Sequence, residues 1–330
     1  MRICIYGAGA IGAWLGVQLS LAGEEVTLIA RGPHLAAMQK KGVKLLIDGT
    51  EKVAHPRCVQ DPQEAGPQDY VIITLKAHSF SAVVESLQPL FDDDTALVTG
   101  VNGIPWWYFY QLEGAFENHK LESVDPGGRI WDAVGPQRAI GCVVYPAAEI
   151  AEPGVIRHIE GDRFILGEPD GRQSERAGRL CDALKSAGFT SRVRNNIRDD
   201  IWVKLWGNLC FNPISALTHA TLDKVAGEPG TGGVCRQMML EAQAIGEKLG
   251  ARFRVNVDKR IAGGAAVGAH KTSMLQDLEA GRPMEIDALV SVIQELGHLV
   301  GVPTPTTDVV LALIQQRAAM AGTYQMKRHG

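Results

Sequence analysis

Near its start the chain reads Arg2-Ile3-Cys4-Ile5-Tyr6-Gly7-Ala8-Gly9-Ala10-Ile11-Gly12, and this stretch decides the fold of the first half of the molecule. Arg2 to Tyr6 alternates around apolar Ile3 and Ile5, which predicts a short strand. A glycine cluster follows at once. Ala10 to Leu21 then carries a helical pattern that stops at Gly23, and Val26 to Ala30 predicts a second strand. A parallel strand pair needs a crossover of about this length. Within such a βαβ unit G-x-G-x-x-G has a physical use. The first glycine, Gly7, permits the tight turn, and Gly9 lets a pyrophosphate approach the backbone. Gly12 lets helix and strand pack closely. Free N–H groups and the positive end of the helix dipole then hold phosphate. Gly7, Ala8, Gly9, Ala10, Ile11 and Gly12 are therefore the candidate dinucleotide loop. The bland alternative, a tight turn that binds nothing, is disfavoured by the strand before it and the helix after it.

The end of the second strand bears on which nucleotide is held. A site for NAD usually places a carboxylate there for the ribose 2′-hydroxyl; here the residues are Ile29-Ala30-Arg31-Gly32. Arg31 can pair bidentately with a 2′-phosphate and has no carboxylate beside it, so NADP is the expected cofactor. The alternative for Arg31 is a solvated charge at a strand end.

Further strands are expected at Asp69–Leu75, Thr95–Thr99, Ala139–Tyr145, Val155–Ile159 and Arg163–Leu166, with helical patterns between the early ones. Alternating strands and helices imply a parallel sheet covered on both faces, and the closely spaced later strands imply an antiparallel extension. After a helix around Ser174–Ala187 and a short strand at Thr190–Val193 the character changes. Ile197–Phe211, Val234–Leu249, Ser273–Ala280, Glu285–Val300 and Thr307–Ala321 all have helical spacing or length. The expected fold class is thus an α/β Rossmann-type domain over residues 1–195, mostly parallel with an antiparallel extension. An all-α domain over residues 196–330 follows. Gly263-Gly264-Ala-Ala-Val-Gly-Ala reads as either a flexible loop or a tightly packed one.

Composition limits the classes of function. Of 330 residues 45% are hydrophobic and 21% charged, with 33 Lys+Arg against 37 Asp+Glu for a net charge of −4. That mix belongs to a packed protein and not to a disordered chain. The weak acidity argues against nucleic acid or anionic lipid as the main partner. No apolar run reaches the roughly 18–20 residues of a membrane helix, and no signal-peptide pattern is read at the N-terminus. The six cysteines are scattered, with no C-x-x-C pair and no histidine at ligand spacing, so no metal site is expected. Buried thiols in a reducing, cytoplasmic compartment fit that pattern.

Several polar residues interrupt apolar segments. Lys76, in Thr74-Leu75-Lys76-Ala77, ends a strand and would point into the ligand crevice of an open α/β sheet. Asn102, before Gly103, ends the next strand in the same way. By position alone Lys76 is equally an ordinary surface lysine, and Asn102 equally a turn former. The helix Ile201–Pro213 is apolar nearly all round, with Lys204, Asn208 and Asn212 in one stripe at i, i+4 and i+8. Asparagine is a poor interior helix residue, which favours a polar cleft over a plain wet face. Ser273 with Gln276 reads as a capping box. Pro283 fits the first turn of a helix whose dipole Glu285 and Asp287 would complement.

Taken together, the Gly7–Gly12 loop, Arg31, Thr74–Ala77, Asn102-Gly103, Trp202–Pro213 and the stretch from Ser273-Met-Leu-Gln-Asp to Glu285-Ile-Asp resemble the ketopantoate reductase (2-dehydropantoate 2-reductase) family over most of the chain. The resemblance implies an active site between an NADP-binding domain and a helical domain. It implies hydride transfer from NADPH to the ketone of a 2-oxo acid, as in pantothenate synthesis. By residue matching Lys204 takes the place of the general acid, and Glu285 that of the carboxylate orienting the substrate. Asn102, Asn208, Asn212 and Ser273 fall on substrate-binding positions. Gly7, Gly9, Gly12, Arg31, Lys76 and Asn102 fall on the cofactor side. A homodimer is expected as well, since the helical domain is rich in apolar helices.

The chain also departs from the family pattern. Ile104-Pro105-Trp106-Trp107-Tyr108-Phe109-Tyr110 opens a segment running to Trp131 that many members have much shorter. Its aromatics suit core, a dimer contact or a lid over the substrate. Leu217–Asp223 lacks an asparagine that some members carry. Both departures point at the substrate and leave the cofactor loop untouched. The rival readings are therefore a reductase of a bulkier 2-oxo or 2-hydroxy acid on the same scaffold, and a non-catalytic NADP(H) sensor.

Overall fold

The computed structural model describes residues 1–326 and divides into two compact units. The first consists of Met1–Val101, Pro105–Lys120 and Gly127–Ile197. The second consists of Asn102–Ile104, Leu121–Pro126 and the chain from Arg198 onward.

The first unit carries strands β1 (Arg2–Tyr6), β2 (Glu25–Ile29), β3 (Val43–Ile47), β4 (Thr50–Ala54), β5 (Arg57–Val59), β6 (Tyr70–Ile73), β7 (Ala96–Thr99), β8 (Ala139–Val144), β9 (Ala147–Glu152), β10 (Val155–Glu160), β11 (Arg163–Gly167) and β12 (Thr190–Val193). Its helices are α1 (Ala10–Leu21), α2 (Gly32–Lys41), α3 (Pro62–Ala65), α4 (Ala77–Phe80), α5 (Arg129–Val134) and α6 (Glu175–Ser186). The main sheet runs β12-β11-β8-β7-β6-β1-β2-β5, and every adjacent pair is parallel except β8 with β11. β6 and β7 are wholly buried, as strands covered on both faces must be, so they read as continuous apolar runs. Trp14 of α1 packs against Phe164 and Phe189 at 6.1 and 4.9 Å between ring centroids and closes one side of this core.

A second, four-stranded sheet, β4-β3-β10-β9, was not expected beyond β10. β4 is exposed except for Ala54, and β9 has no buried residue, so neither shows the alternation that marks a half-buried strand. Backbone pairing makes them strands: β3 pairs antiparallel with β4 and parallel with β10, and β9 pairs antiparallel with β10.

The aromatic run Trp106–Phe109 is core of the first unit. Trp106, Trp107, Tyr108 and Phe109 are at most 3% exposed. Trp107 Nε1–H donates to Thr99 Oγ1 at 3.2 Å. The Trp107 ring lies so close over Gly141 that a Cβ there would come within 2.9 Å of it. Trp106 and Tyr110 both meet Trp131 edge-on.

The second unit is helical, with no strand among its described residues: α7 (Ile197–Thr218, whose first residue belongs to the first unit), α8 (Leu222–Gly227), α9 (Pro229–Lys248), α10 (Val257–Ala265), α11 (Ser273–Glu279), α12 (Val292–Val300) and α13 (Pro305–Met320). A π-turn at Asp287–Ser291 leads into α12. α8 and α10 are additions to the expected set. Gly264 sits near the end of α10, where a Cβ would stand 2.7 Å from the Phe211 ring, so that part of the small-residue stretch is tightly packed. Two capping expectations are corrected. Thr272, not Ser273, is the N-cap of α11, its hydroxyl accepting from the Leu275 N–H at 3.3 Å. Pro283 and Glu285 precede the helical residues, which begin at Ile286. No helix among the described residues is long and apolar enough to cross a membrane.

Candidate active site

The sequence-predicted residues gather in two places, one on each unit. On the first unit β1 runs into the glycine loop, and Gly7 takes φ +99°. The Gly7 and Ala8 N–H groups both donate to the Ile29 carbonyl at 3.1 and 2.9 Å, which pins the loop to the end of β2. Thr74 Oγ1 donates to the Gly7 carbonyl at 2.7 Å. A Cβ at Gly12 would stand 2.4 Å from Thr74 Oγ1 and 2.6 Å from the Gly7 oxygen, whereas the nearest atom to one at Gly9 is 3.9 Å away. Gly7 and Gly12 thus serve packing and Gly9 leaves the backbone approachable. α1 has Gly9 as its N-cap residue, with no side-chain cap and no acidic residue in its first turn, so its leading N–H groups and dipole are available to an anion. These residues fit the pyrophosphate of a dinucleotide.

Arg31 is exposed at the end of β2, in extended conformation, as the N-cap residue of α2. Lys76 is half-buried and occupies the same place ahead of α4. The role of Thr74 was missed at the sequence level. Its signal is that it is the first hydroxyl after the end of a buried strand, two residues before Lys76, which was already singled out. His34 of α2 was missed too: its Nδ1 accepts from the Gly154 N–H at 3.0 Å, and burial lowers its pKa from the usual histidine value.

On the second unit Lys204 Nζ donates to Asn102 Oδ1 at 2.7 Å, and Asn102 Nδ2 donates to Glu285 Oε2 at 3.2 Å. The two bonds fix the amide's orientation, since a flipped amide would aim N–H at an ammonium and oxygen at a carboxylate. Glu285 is 5% exposed; a buried carboxyl needs such partners. Trp202, Leu205, Trp206, Leu209 and Cys210 bury the rest of α7 around Lys204 and Asn208, which are half-buried. The polar stripe is therefore narrow, as the asparagines suggest. Asn212 lies at the far end of that stripe, buried, with its Nδ2 3.5 Å from Ser273 Oγ, the outer limit of a hydrogen bond. Because Thr272 takes the capping role, Ser273 keeps its hydroxyl for this contact. The loop carrying Asn102 is held by Gly103 at φ +94°, where a Cβ would stand 2.1 Å from the Ala288 oxygen, and by the Ile104 N–H donating to the same oxygen at 3.4 Å.

The six cysteines are all buried. Burial pushes the thiol of Cys4 up to about 12 and that of Cys58 up to about 11, so neither is a nucleophile near neutral pH. Among the described residues no group of three His, Cys, Asp or Glu is placed to hold a metal.

The family model described as ketopantoate reductase PanE/ApbA matches residues 3–171, and that for the C-terminal part matches residues 196–318. The chain belongs to the ketopantoate reductase family. A protein of Mesorhizobium japonicum named 2-dehydropantoate 2-reductase is 55% identical, over 98% of this chain and 100% of its own. A solved chain from Ralstonia solanacearum MolK2, described as a candidate ketopantoate reductase, is 41% identical with a TM-score of 0.93, covering 98% of this chain and 99% of its own. A solved 2-dehydropantoate 2-reductase of Geobacter metallireducens is 28% identical with a TM-score of 0.84, over 96% and 99%. The family match covers both the glycine loop and the Lys204 helix, and these ketopantoate reductase relatives span nearly their whole lengths on this chain.

Proposed function

We propose that this family member reduces a 2-oxo acid to the 2-hydroxy acid with NADPH, and that the substrate is 2-dehydropantoate, giving pantoate. The observation that carries the reading is the Lys204–Asn102–Glu285 chain of hydrogen bonds, which aims an ammonium and a carboxyl at one place. The Mesorhizobium relative's name supports the choice of acid. NADPH, when bound, supplies the hydride that adds to the ketone carbon.

This chain's residues do the rest. The leading N–H groups of α1 hold the pyrophosphate, Arg31 pairs with the 2′-phosphate, and Lys76 adds positive charge on the cofactor side. Lys204 Nζ stabilises the negative charge that develops on the substrate oxygen and delivers the proton that makes the hydroxyl. Asn102 keeps the Lys204 side chain extended toward that oxygen. Glu285 orients the substrate by accepting a hydrogen bond from a hydroxyl that the acid already carries. Asn208, Asn212 and Ser273 offer hydrogen bonds to the remaining polar groups of the acid. A homodimer belongs to the same reading. Its support is the exposed apolar face of α13, Val309, Leu313 and Met320, whose burial a second copy would favour.

The test is a panel of 2-oxo acids assayed with NADPH and with NADH. The expected result is the highest kcat/KM for 2-dehydropantoate with NADPH. A bulkier acid reduced faster would move the substrate assignment while keeping the chemistry. Equal efficiency with NADH would remove Arg31 from its role. No oxidation of NADPH with any acid would leave the sensor reading in its place.

A further inference from the structure

The reaction as written makes no use of Asp287, the π-turn that begins with it, or Tyr324. We propose that Tyr324 is a positioning residue: through Asp287 it holds the π-turn on which both Asn102 and Glu285 are mounted.

The turn has two attachments to the proposed catalytic groups. Glu285 stands two residues before Asp287 in the chain. Ala288, one residue after it, receives the Ile104 N–H on its carbonyl at 3.4 Å, and the same oxygen fills the space a Gly103 Cβ would need. Asn102 is the next residue back and bonds both Lys204 and Glu285. A π-turn is wider than an α-helix and is the less favoured backbone, so something must hold it open. Asp287 Oδ1 accepts two hydroxyl donors, Ser291 Oγ–H at 2.7 Å and Tyr324 O–H at 2.8 Å. Ser291 is the last residue of the turn and travels with it. Tyr324 comes from the stretch after α13 and anchors the turn from outside. Gln315 Nε2 of α13 donates to the Tyr324 oxygen at 3.1 Å, which fills an acceptor position and directs the phenol proton at Asp287. Without that proton the turn is free to tighten, which moves the Ala288 carbonyl and, with it, Asn102 away from Lys204.

The kinetic arm of the test rests on the proposed reductase activity; the spectroscopic arm does not. In Tyr324→Phe the ring stays and only the donor goes. The expected result is kcat for the 2-oxo acid lower by about tenfold, as small misplacements near the reacting atoms cost, with KM for NADPH unchanged. Asp287→Ala, which loses the Ser291 bond as well, should cost at least as much, and the double variant no more than Asp287→Ala alone, because Tyr324 acts through Asp287. Independently, the side-chain amide signals of Asn102 in a ¹⁵N-labelled sample of the full chain should shift in Tyr324→Phe. A lower melting temperature with parental kcat and unshifted Asn102 signals would overturn the inference and leave Tyr324 a packing residue. If the parent protein reduces no 2-oxo acid, the reaction assignment fails while the amide signals still decide the role of Tyr324.

Discussion

The glycine loop of the first unit and the Lys204 cluster of the second solve their problems by opposite means. The loop is a backbone device. Its work is done by N–H groups, a carbonyl and the absence of side chains at Gly7, Gly9 and Gly12, all within six consecutive residues. The cluster is a side-chain device. Lys204 reaches Asn102 across 102 residues of sequence, and Asn102 reaches Glu285 across 183. A backbone device tolerates almost any side chain but no added Cβ at its tight points. A side-chain device tolerates backbone variation elsewhere but not the loss of one functional group. The two should therefore fail differently.

The largest effect is expected at the cluster. Lys204→Ala should lower kcat by about 10²–10⁴, the usual worth of a positioned acid. NADPH titrated by fluorescence should bind as in the parent, because no part of the loop is touched. A parallel loss of NADPH affinity would break the distinction between the two regions. Gly12→Ala should do the reverse. The new Cβ meets Thr74 Oγ1 and the Gly7 carbonyl at 2.4 and 2.6 Å, and overpacking of that kind costs about 1–3 kcal/mol. Where the free loop relieves that strain by shifting and must regain its parental shape to take the cofactor, the same free energy weakens NADPH binding by roughly 5- to 150-fold, with the Lys204–Asn102 contact intact. Parental NADPH affinity in this variant would mean that the loop does not bind the cofactor.

The smallest effect sharpens the picture of the first unit. Burial holds the His34 pKa below its usual value, so the unfolded chain binds this proton more readily than the folded one. The stability contributed by neutral His34 is full above the unfolded pKa, about 6.5, and is lost as pH falls from there through the folded value. Protonation also removes the acceptor for the Gly154 N–H. Melting temperatures recorded from pH 7.5 downward should fall less steeply in His34→Gln than in the parent. Identical slopes would show that His34 does not link α2 to the turn before β10.

Much of the first unit was legible because its signals are local. β1, α1 and β12 lie where the residue pattern places them, and β2, β6, β7, β8, β10 and β11 differ only at their ends. In the sheet made of β3, β4, β9 and β10 only β10 was read: β4 and β9 are exposed and owe their state to pairing, whereas β3, with Val43 and Leu45 buried on one face, carries an alternation that went unread. In the second unit the long helices were legible from spacing. The π-turn was not, because nothing within five residues distinguishes it from the start of an α-helix. Thr272 and Ser273 compete for one capping role, and either sequence position suits it; only the structure shows Thr272 taking it.

Chain order and residue type alone fixed the βαβ start, the glycine loop and the polar stripe of α7, because backbone hydrogen bonding and helical periodicity act over a few residues. The meeting of Lys204, Asn102 and Glu285, the burial of Trp106–Phe109 and the anchoring of Asp287 by Tyr324 were decided by the tertiary structure. Each joins groups far apart in sequence, and only the packing of the intervening chain brings them within reach of one another.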